Sequence, residues 1–312
     1  MKNGIAVIGS SFVDIKGFPF GKYIPAGRNA GTVAFVHGGV GRNVAEDIAN
    51  LELRPTFVST VDETPQGQDV ARKLEKHKVN TAYLPAVKDG MGMWLALFNE
   101  QGDVVGSISK RPDMVPLLHL IEEKGDEIFS ECDSIAIEID MDRELVKTVF
   151  RFAEKYEKKI YAVVSNMSIA VERRDFFKEI DCFVCNLQEA ELLFMEKFEG
   201  TPREELSGLL AGKMRSAGFS SMIVTLGEDG AVYADADGNH GVCPAMKVAV
   251  RDTTGAGDAF FAGVAAGLTY GCSLEQSVRI GTRLAGSVIA ALENVCPRFL
   301  PEELGINRAD PV

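Results

Sequence analysis

Apolar residues follow two rhythms along this chain. Short unbroken runs, at Ile5 to Ile8, Thr56 to Thr60, Ile135 to Ile139, Ile160 to Val164 and Met222 to Leu226, read as strands covered on both faces. Other stretches space their apolar residues at helical intervals. From His37 to about Leu53 they are Val44, Ala45, Ile48 and Ala49, and from Gln66 to Lys78 they are Val70, Ala71 and Leu74. From Arg143 to Tyr156 they are Leu145, Val146, Val149, Phe150 and Ala153. From Ser134 onward the two rhythms alternate, which predicts a parallel sheet with helices on its faces. Two parts break the alternation. Gly17 to Val36 is irregular, with strand character returning at Thr32, and Met93 to Phe98 with Val104 to Ile108 reads as a β-hairpin around Asn99–Gly102. Together they predict a small β layer, at about residues 15–36 and 91–110, on an otherwise single domain spanning residues 1–312.

Composition narrows the partners. With 312 residues, 46% hydrophobic and 25% charged, the chain can bury a large core. Its net charge of −12 argues against nucleic acid or an anionic membrane as a partner, whereas local amides and a cation can still hold a nucleotide. The six cysteines are scattered, as expected of reduced thiols in a cytoplasmic protein. Cys182 and Cys185 form a C-x-x-C, but they lie in an apolar strand-like run without a second pair. No signal-peptide core opens the sequence and no apolar run reaches membrane-spanning length.

The chemistry concentrates in Asp252-Thr253-Thr254-Gly255-Ala256-Gly257-Asp258, between a strand expected at Met246 to Val250 and a helix at Ala259 to Leu268. The amides of Gly255, Ala256 and Gly257 would lack partners at that helix start, and the helix dipole adds positive potential there. Asp258 puts a carboxylate in the same turn. By itself this is either a glycine turn whose acid complements the dipole or an anion hole with a base beside it. A second glycine cluster, Gly38-Gly39-Val40-Gly41-Arg42-Asn43-Val44-Ala45, opens the first long helix; neither a Walker A loop nor a dinucleotide fingerprint fits it. Arg42 reads as a helix-surface residue and His77, among lysines, as solvated surface. Two acids, Asp14 and Asp140, follow strands at their carboxyl ends, where open α/β sheets bind ligands. Asn186 and Glu189 have the spacing of a capping box.

Asp-Thr-x-Gly-Ala-Gly-Asp at Asp252 to Asp258 and Gly-Gly-x-Gly-x-Asn-x-Ala at Gly38 to Ala45 resemble the two signatures of the ribokinase-like (PfkB) carbohydrate kinases. Asn-x-x-Glu at Asn186 and Glu189, and Thr-x-Gly-x-x-Gly at Thr225, Gly227 and Gly230, are similar to two further motifs of that family, in its order. The resemblance implies a three-layer α/β/α sandwich with a β-sheet lid, and ATP-dependent phosphorylation of a primary hydroxyl on a sugar or nucleoside. It implies Asp258 as base, Gly255, Ala256 and Gly257 as the phosphate cradle, and Asp14, Gly38, Gly39, Asn43 and Asp140 as substrate ligands. Thr225, Gly227 and Gly230, with Asn186, would hold the nucleotide. Asn186 and Glu189 would organise Mg²⁺ through water, and Asp252 and Thr254 would offer backbone ligands to K⁺.

The first signature is most similar to the pseudouridine kinase branch, because Val40 and Val44 stand where ribokinases usually carry Lys and Gln. Phe12, Met93 and Trp94 would then stack on a base, or else form the core of the lid. The expected substrate is pseudouridine. A ribokinase- or fructokinase-type sugar kinase and a non-catalytic sugar-binding regulator are the alternatives, and an exposed lid edge leaves room for a homodimer.

Overall fold

The computed structural model describes residues 4–218 and 220–307, with Arg173 and Arg174 described by backbone alone; the ends counted in the single-domain expectation lie outside the described residues. The chain opens on β1 (Ile5–Ile8), passes through β2 (Phe12–Pro19) and β3 (Gly31–Gly38), and returns in α1 (Val40–Asn50). Next come β4 (Pro55–Val58), β5 (Val61–Asp62), α2 (Pro65–Lys76) and β6 (Ala86–Val87). The hairpin β7 (Gly92–Phe98) and β8 (Val104–Lys110) leads to α3 (Val115–Ser130). Alternation then sets in with β9 (Ser134–Glu138), α4 (Arg143–Lys155), β10 (Lys159–Val163), α5 (Met167–Ala170) and β11 (Cys182–Asn186). It continues through α6 (Leu187–Phe194), α7 (Arg203–Ala217) and β12 (Ser221–Thr225), followed by β13 (Ala231–Asp235) and β14 (His240–Cys243). Helices α8 (Ala256–Thr269) and α9 (Leu274–Ile289) come last.

The main sheet runs β14-β13-β12-β11-β10-β9-β1-β4, parallel from β12 to β4 and antiparallel at β13 and β14. Strand alternation sends Ala6 and Ile8 to one core and Ile5 and Val7 to the other. The first core takes Leu117 and Ile121 from α3, Leu145 and Val149 from α4, and Leu206 and Leu210 from α7. The second takes Val44, Val70, Phe261 and Val278 from α1, α2, α8 and α9. This is a ribokinase-like three-layer α/β/α sandwich. Helices α8 and α9 approach through glycines: a β-carbon on Gly263 would lie 2.8 Å from the Gly281 Cα. Cys182 and Cys185 face opposite cores, because three residues along a strand reverse the side.

A second sheet, β3-β2-β7-β8, forms the lid. It corrects the expectation of an irregular segment from Gly17. The strand β2 runs unbroken from Phe12 to Pro19, paired with β3 along its length and with β7 over Phe12–Gly17. Glycine and proline misled the reading: Gly17 packs against Leu97, where a β-carbon would sit 3.1 Å from that side chain, and Pro19 merely ends the strand. The strand expected at Met246 to Val250 is also absent. The ladder ends at Cys243 before Pro244, and the segment instead crosses α9, with Met246 against Gly286 and Val250 exposed. His77 is half-buried rather than solvated, its Nδ1 lying 2.8 Å from Asn50 Oδ1.

Candidate active site

The carboxyl ends of the parallel strands open beneath the lid, and the start of α8 forms the floor there. Gly255 caps α8 at φ 82°, and a β-carbon on it would lie 2.0 Å from the Asn294 carbonyl oxygen, so glycine is required. Ala256 begins the helix, but its amide donates to the Thr253 carbonyl at 3.2 Å rather than lacking a partner as expected, because the chain turns tightly into the helix there; the space beside Gly257 is open to 4 Å. Asp258 is half-buried in the first turn. Its Oδ2 accepts a 2.6 Å hydrogen bond from Asn43 Nδ2. Burial pushes its carboxyl up to about 6, against the pull of the Asn43 hydrogen bond and the Arg42 charge, while the Asp14 charge adds to the rise.

The lid contributes Asp14 from β2. Its carboxylate lies so close to Gly38 that a β-carbon there would come within 2.8 Å of both oxygens. Gly39 (φ 95°) turns the chain from β3 into α1, packed on the Ser10 carbonyl. Burial raises Asp14 above its ordinary value, and Lys16 and Arg42 oppose that rise. Behind this turn lies Glu138, at the end of β9. Its Oε1 accepts from the amides of Ser10 (2.7 Å) and Gly41 (2.6 Å). Burial first, then Asp140, pushes it up to about 8. Asp140 accepts from the Ser165 amide (2.9 Å) and hydroxyl (2.7 Å).

A cavity of about 430 Å³ joins these groups. Asp14, Gly38, Gly39, Asn43, Asp140, Thr254, Gly255 and Asp258 line it, so the structure brings together the residues expected to hold substrate and the proposed base. Apolar walls come from Phe12 and Trp94 on the lid side and from Met114 and Met141 opposite. Met93 is not among them: strand alternation turns it to the outer face of the lid, half-exposed.

Apart from Thr254, the residues expected to hold nucleotide and metal lie outside this cavity. Asn186 and Glu189 cap α6 at the end of β11, with Asn186 N to Glu189 Oε2 at 2.7 Å and Glu189 N to Asn186 Oδ1 at 2.9 Å. Burial raises Glu189, the Asn186 amide lowers it, and Asp140 raises it further. Thr225 ends β12, and Gly227 (φ 60°) and Gly230 (φ 93°) shape the turn after it. Asp252 Oδ1 accepts from the Thr254 amide at 2.8 Å. Burial works to raise Asp252, but that hydrogen bond and its neighbours leave it below its ordinary value.

Sequence reading missed three contributors. Glu138 carried a signal, an acid inside an otherwise apolar strand, which must find donors when buried. Ser10 and Asn294 carried none, since each meets its partners only through the fold. Arg42, expected on the surface, is instead buried, and its Nη1 donates to Glu46 Oε2 at 2.5 Å.

A half-buried carboxylate in the first turn of a helix, facing a cavity lined by polar and apolar groups, suits a kinase of small hydroxylated molecules. The family comparison agrees: the pfkB family carbohydrate kinase model matches residues 2–293, and the chain belongs to that family. It is an ATP-dependent phosphotransferase acting on a hydroxyl-bearing substrate. Among curated relatives, the guanosine-inosine kinase of Exiguobacterium acetylicum is 34% identical over 294 residues, covering 94% of this chain and 96% of that one. The pseudouridine kinase of Escherichia coli (strain K12) is 25% identical over 279 residues, 89% and 88% of the two chains. Among solved structures, Arabidopsis thaliana ribokinase complexed with ribose and ATP superposes with a TM-score of 0.83, at 21% identity over 97% of this chain and 99% of that one. The particular resemblance to the pseudouridine branch is thus overtaken by a more similar kinase of purine nucleosides.

Proposed function

We propose that this protein is a nucleoside 5′-kinase whose preferred substrates are the 6-oxopurine nucleosides guanosine and inosine. The carrying observation is the aromatic and thioether wall of Phe12, Trp94, Met114 and Met141 in the cavity that also holds Asp14, Asn43 and Asp258. A free pentose has no apolar face to match it, whereas a base does. The 34% identical guanosine-inosine kinase supports the purine reading. Pseudouridine, expected from the glycine signature, is the second reading, favoured by the same wall and the 25% identical relative.

In this reading the ribose hydroxyls meet Asp14, Asp140 and the amides after Gly38 and Gly39. Asn43 lies between sugar and base. The 5′-hydroxyl gives its proton to Asp258 as its oxygen bonds to the γ-phosphorus, and the bond from that phosphorus to the bridging oxygen of ADP breaks. The amides of Gly255 and Gly257 stabilise the charge on the transferring group, the Ala256 amide being held by the Thr253 carbonyl. Thr225, Gly227 and Gly230 line the turn that receives ATP. Glu189 Oε2 is committed to its capping box, leaving Oε1 for a water-carrying cation. One carboxylate oxygen beside the phosphate site fits Mg²⁺, which retains waters and takes phosphate oxygens. Bound Mg²⁺ would neutralise phosphate charge. The backbone at Asp252 and Thr254 would serve K⁺.

The chain would work as one kinase domain in the cytoplasm; Cys132, Cys182, Cys185, Cys243 and Cys296 are free thiols, and among the described residues no helix is long and apolar enough to cross a membrane. The outer face of the lid leaves Val33, Phe35, Leu95, Leu97 and Ile108 exposed, which suits a homodimer built lid against lid. Sedimentation of wild type and of Phe35→Asp should give dimer and monomer. The substrate reading is tested by coupled ADP release with guanosine, inosine, pseudouridine, adenosine and ribose. A kcat/KM highest for guanosine or inosine supports it; a preference for free ribose refutes it.

A further inference from the structure

Two charged residues one turn apart on α1 lie inside the protein: Arg42 is 1% exposed and Glu46 0%. Burying such a pair costs desolvation that apolar side chains would avoid, so its presence calls for another use. Its hydrogen bonds supply one. Arg42 Nη2 donates to the His37 carbonyl and, at 3.4 Å, to Asn294 Oδ1. Asn294 Nδ2 donates to the His37 carbonyl at 2.7 Å and to Asn43 Oδ1 at 3.3 Å. Asn43 Nδ2 then donates to Asp258 Oδ2 at 2.6 Å.

The direction of this chain is set at its cationic end. Arginine has no acceptor, so Asn294 must turn its oxygen toward Arg42 and its amino group toward Asn43. Asn43 must in turn face Asn294 with its oxygen and Asp258 with its amino group. A flip of either amide would set donor against donor. Asp258 Oδ2 is thereby engaged, and Oδ1 is left for the acceptor hydroxyl.

We propose that Arg42, anchored by Glu46 and acting through Asn294 and Asn43, is a positioning residue that aims Asp258 and holds it in its proton-accepting form. The inference rests on Asp258 being the base. The surrounding charges make Arg42 necessary. Asp14 on β2 repels a charge on Asp258, and that charge in turn helps raise the fully buried Asp47 on α1. Behind Arg42, Glu46 Oε1 faces Lys73 at 3.4 Å and His77 Nδ1 at 3.6 Å, and Lys73 also reaches Glu293 at 3.6 Å. His37 is tied to Asp69 at 3.0 Å.

The test is the pH profile of kcat between pH 5 and 9 in three folded variants, with melting curves as the check on folding. In Arg42→Met/Glu46→Met the buried pair becomes apolar at similar volume, and the acid limb should move about one pH unit upward. In Glu46→Gln the Arg42 hydrogen bond survives while its counter-charge is lost, so the limb should move downward. A purely structural role moves neither limb. An unmoved limb in the double variant, or an upward shift in Glu46→Gln, overturns the inference, and Glu46→Gln alone decides it if the double variant does not fold. Asp258→Asn is the control: if it retains turnover, the base assignment fails; if it is inactive while the other limbs stay in place, the positioning role fails.

Discussion

Replacing Asp258 by asparagine should move activity and stability in opposite directions. In the folded protein the carboxyl is pushed from 3.8 to about 6, chiefly by burial. For an acid, a raised folded value means that holding the charge destabilises the native state. That penalty is absent below about pH 4, grows as pH rises, and is fully present above about pH 6. At about 1.4 kcal/mol per pH unit the penalty approaches ~3 kcal/mol, and solvent screening at a half-buried site lowers it to about 1–3 kcal/mol. The neutral amide avoids it, and its oxygen can still accept from Asn43. Asp258→Asn should therefore melt a few degrees higher than wild type at pH 8 and close to wild type at pH 4. Loss of a general base should meanwhile lower kcat by about 10²- to 10⁴-fold, or ~3–5 kcal/mol of transition-state stabilisation. Melting curves at the two pH values and coupled ADP release measure the two quantities. Turnover within tenfold of wild type, or a lower Tm at pH 8, would refute the reasoning.

Three further changes separate parts of the site. Trp94→Ala should raise the nucleoside KM by about 10-fold or more, through loss of ~1–3 kcal/mol of stacking, and leave the ATP KM unchanged; equal effects on both KM values would place Trp94 outside the nucleoside site. Gly255→Ala combines a positive φ, costing about 1–2 kcal/mol, with a 2.0 Å clash against Asn294, so purified protein should be less stable and lack turnover. Wild-type melting and activity would mean that the cradle needs no glycine. Glu138, pushed up to about 8 by burial, destabilises the fold increasingly as pH climbs from its ordinary value through 8. Glu138→Gln should thus gain Tm over wild type between pH 5 and pH 9, and a constant difference across that range would argue against a buried, titrating acid.

What the sequence made legible was local. The parallel strands of the main sheet and the helices α1, α2 and α4 declare themselves by period, and the glycine signatures sit at helix starts because bare backbone is needed there. The lid strand β2 was hidden, since Gly17 and Pro19 break its composition while its ladder with β3 and β7 supplies the order. Met246 to Val250 erred the other way: after Pro244 the run leaves the ladder and packs on α9 through Met246 instead of pairing. Asp14, Asn43 and Asp258 were found by motif, but their meeting belongs to the tertiary structure. So do Asn294 and the buried state of Arg42, 252 residues apart in sequence and 3.4 Å apart in space. Local patterns carry no record of such contacts.

The most direct test of the nucleoside kinase reading is to identify the product formed from guanosine, ATP and Mg²⁺ by the purified protein. Chromatography with phosphorus NMR should show GMP phosphorylated at the 5′ position, formed mole for mole with ADP and faster than ribose phosphate from ribose under the same conditions. ADP release without a nucleoside monophosphate, or ribose phosphate as the faster product, would contradict it.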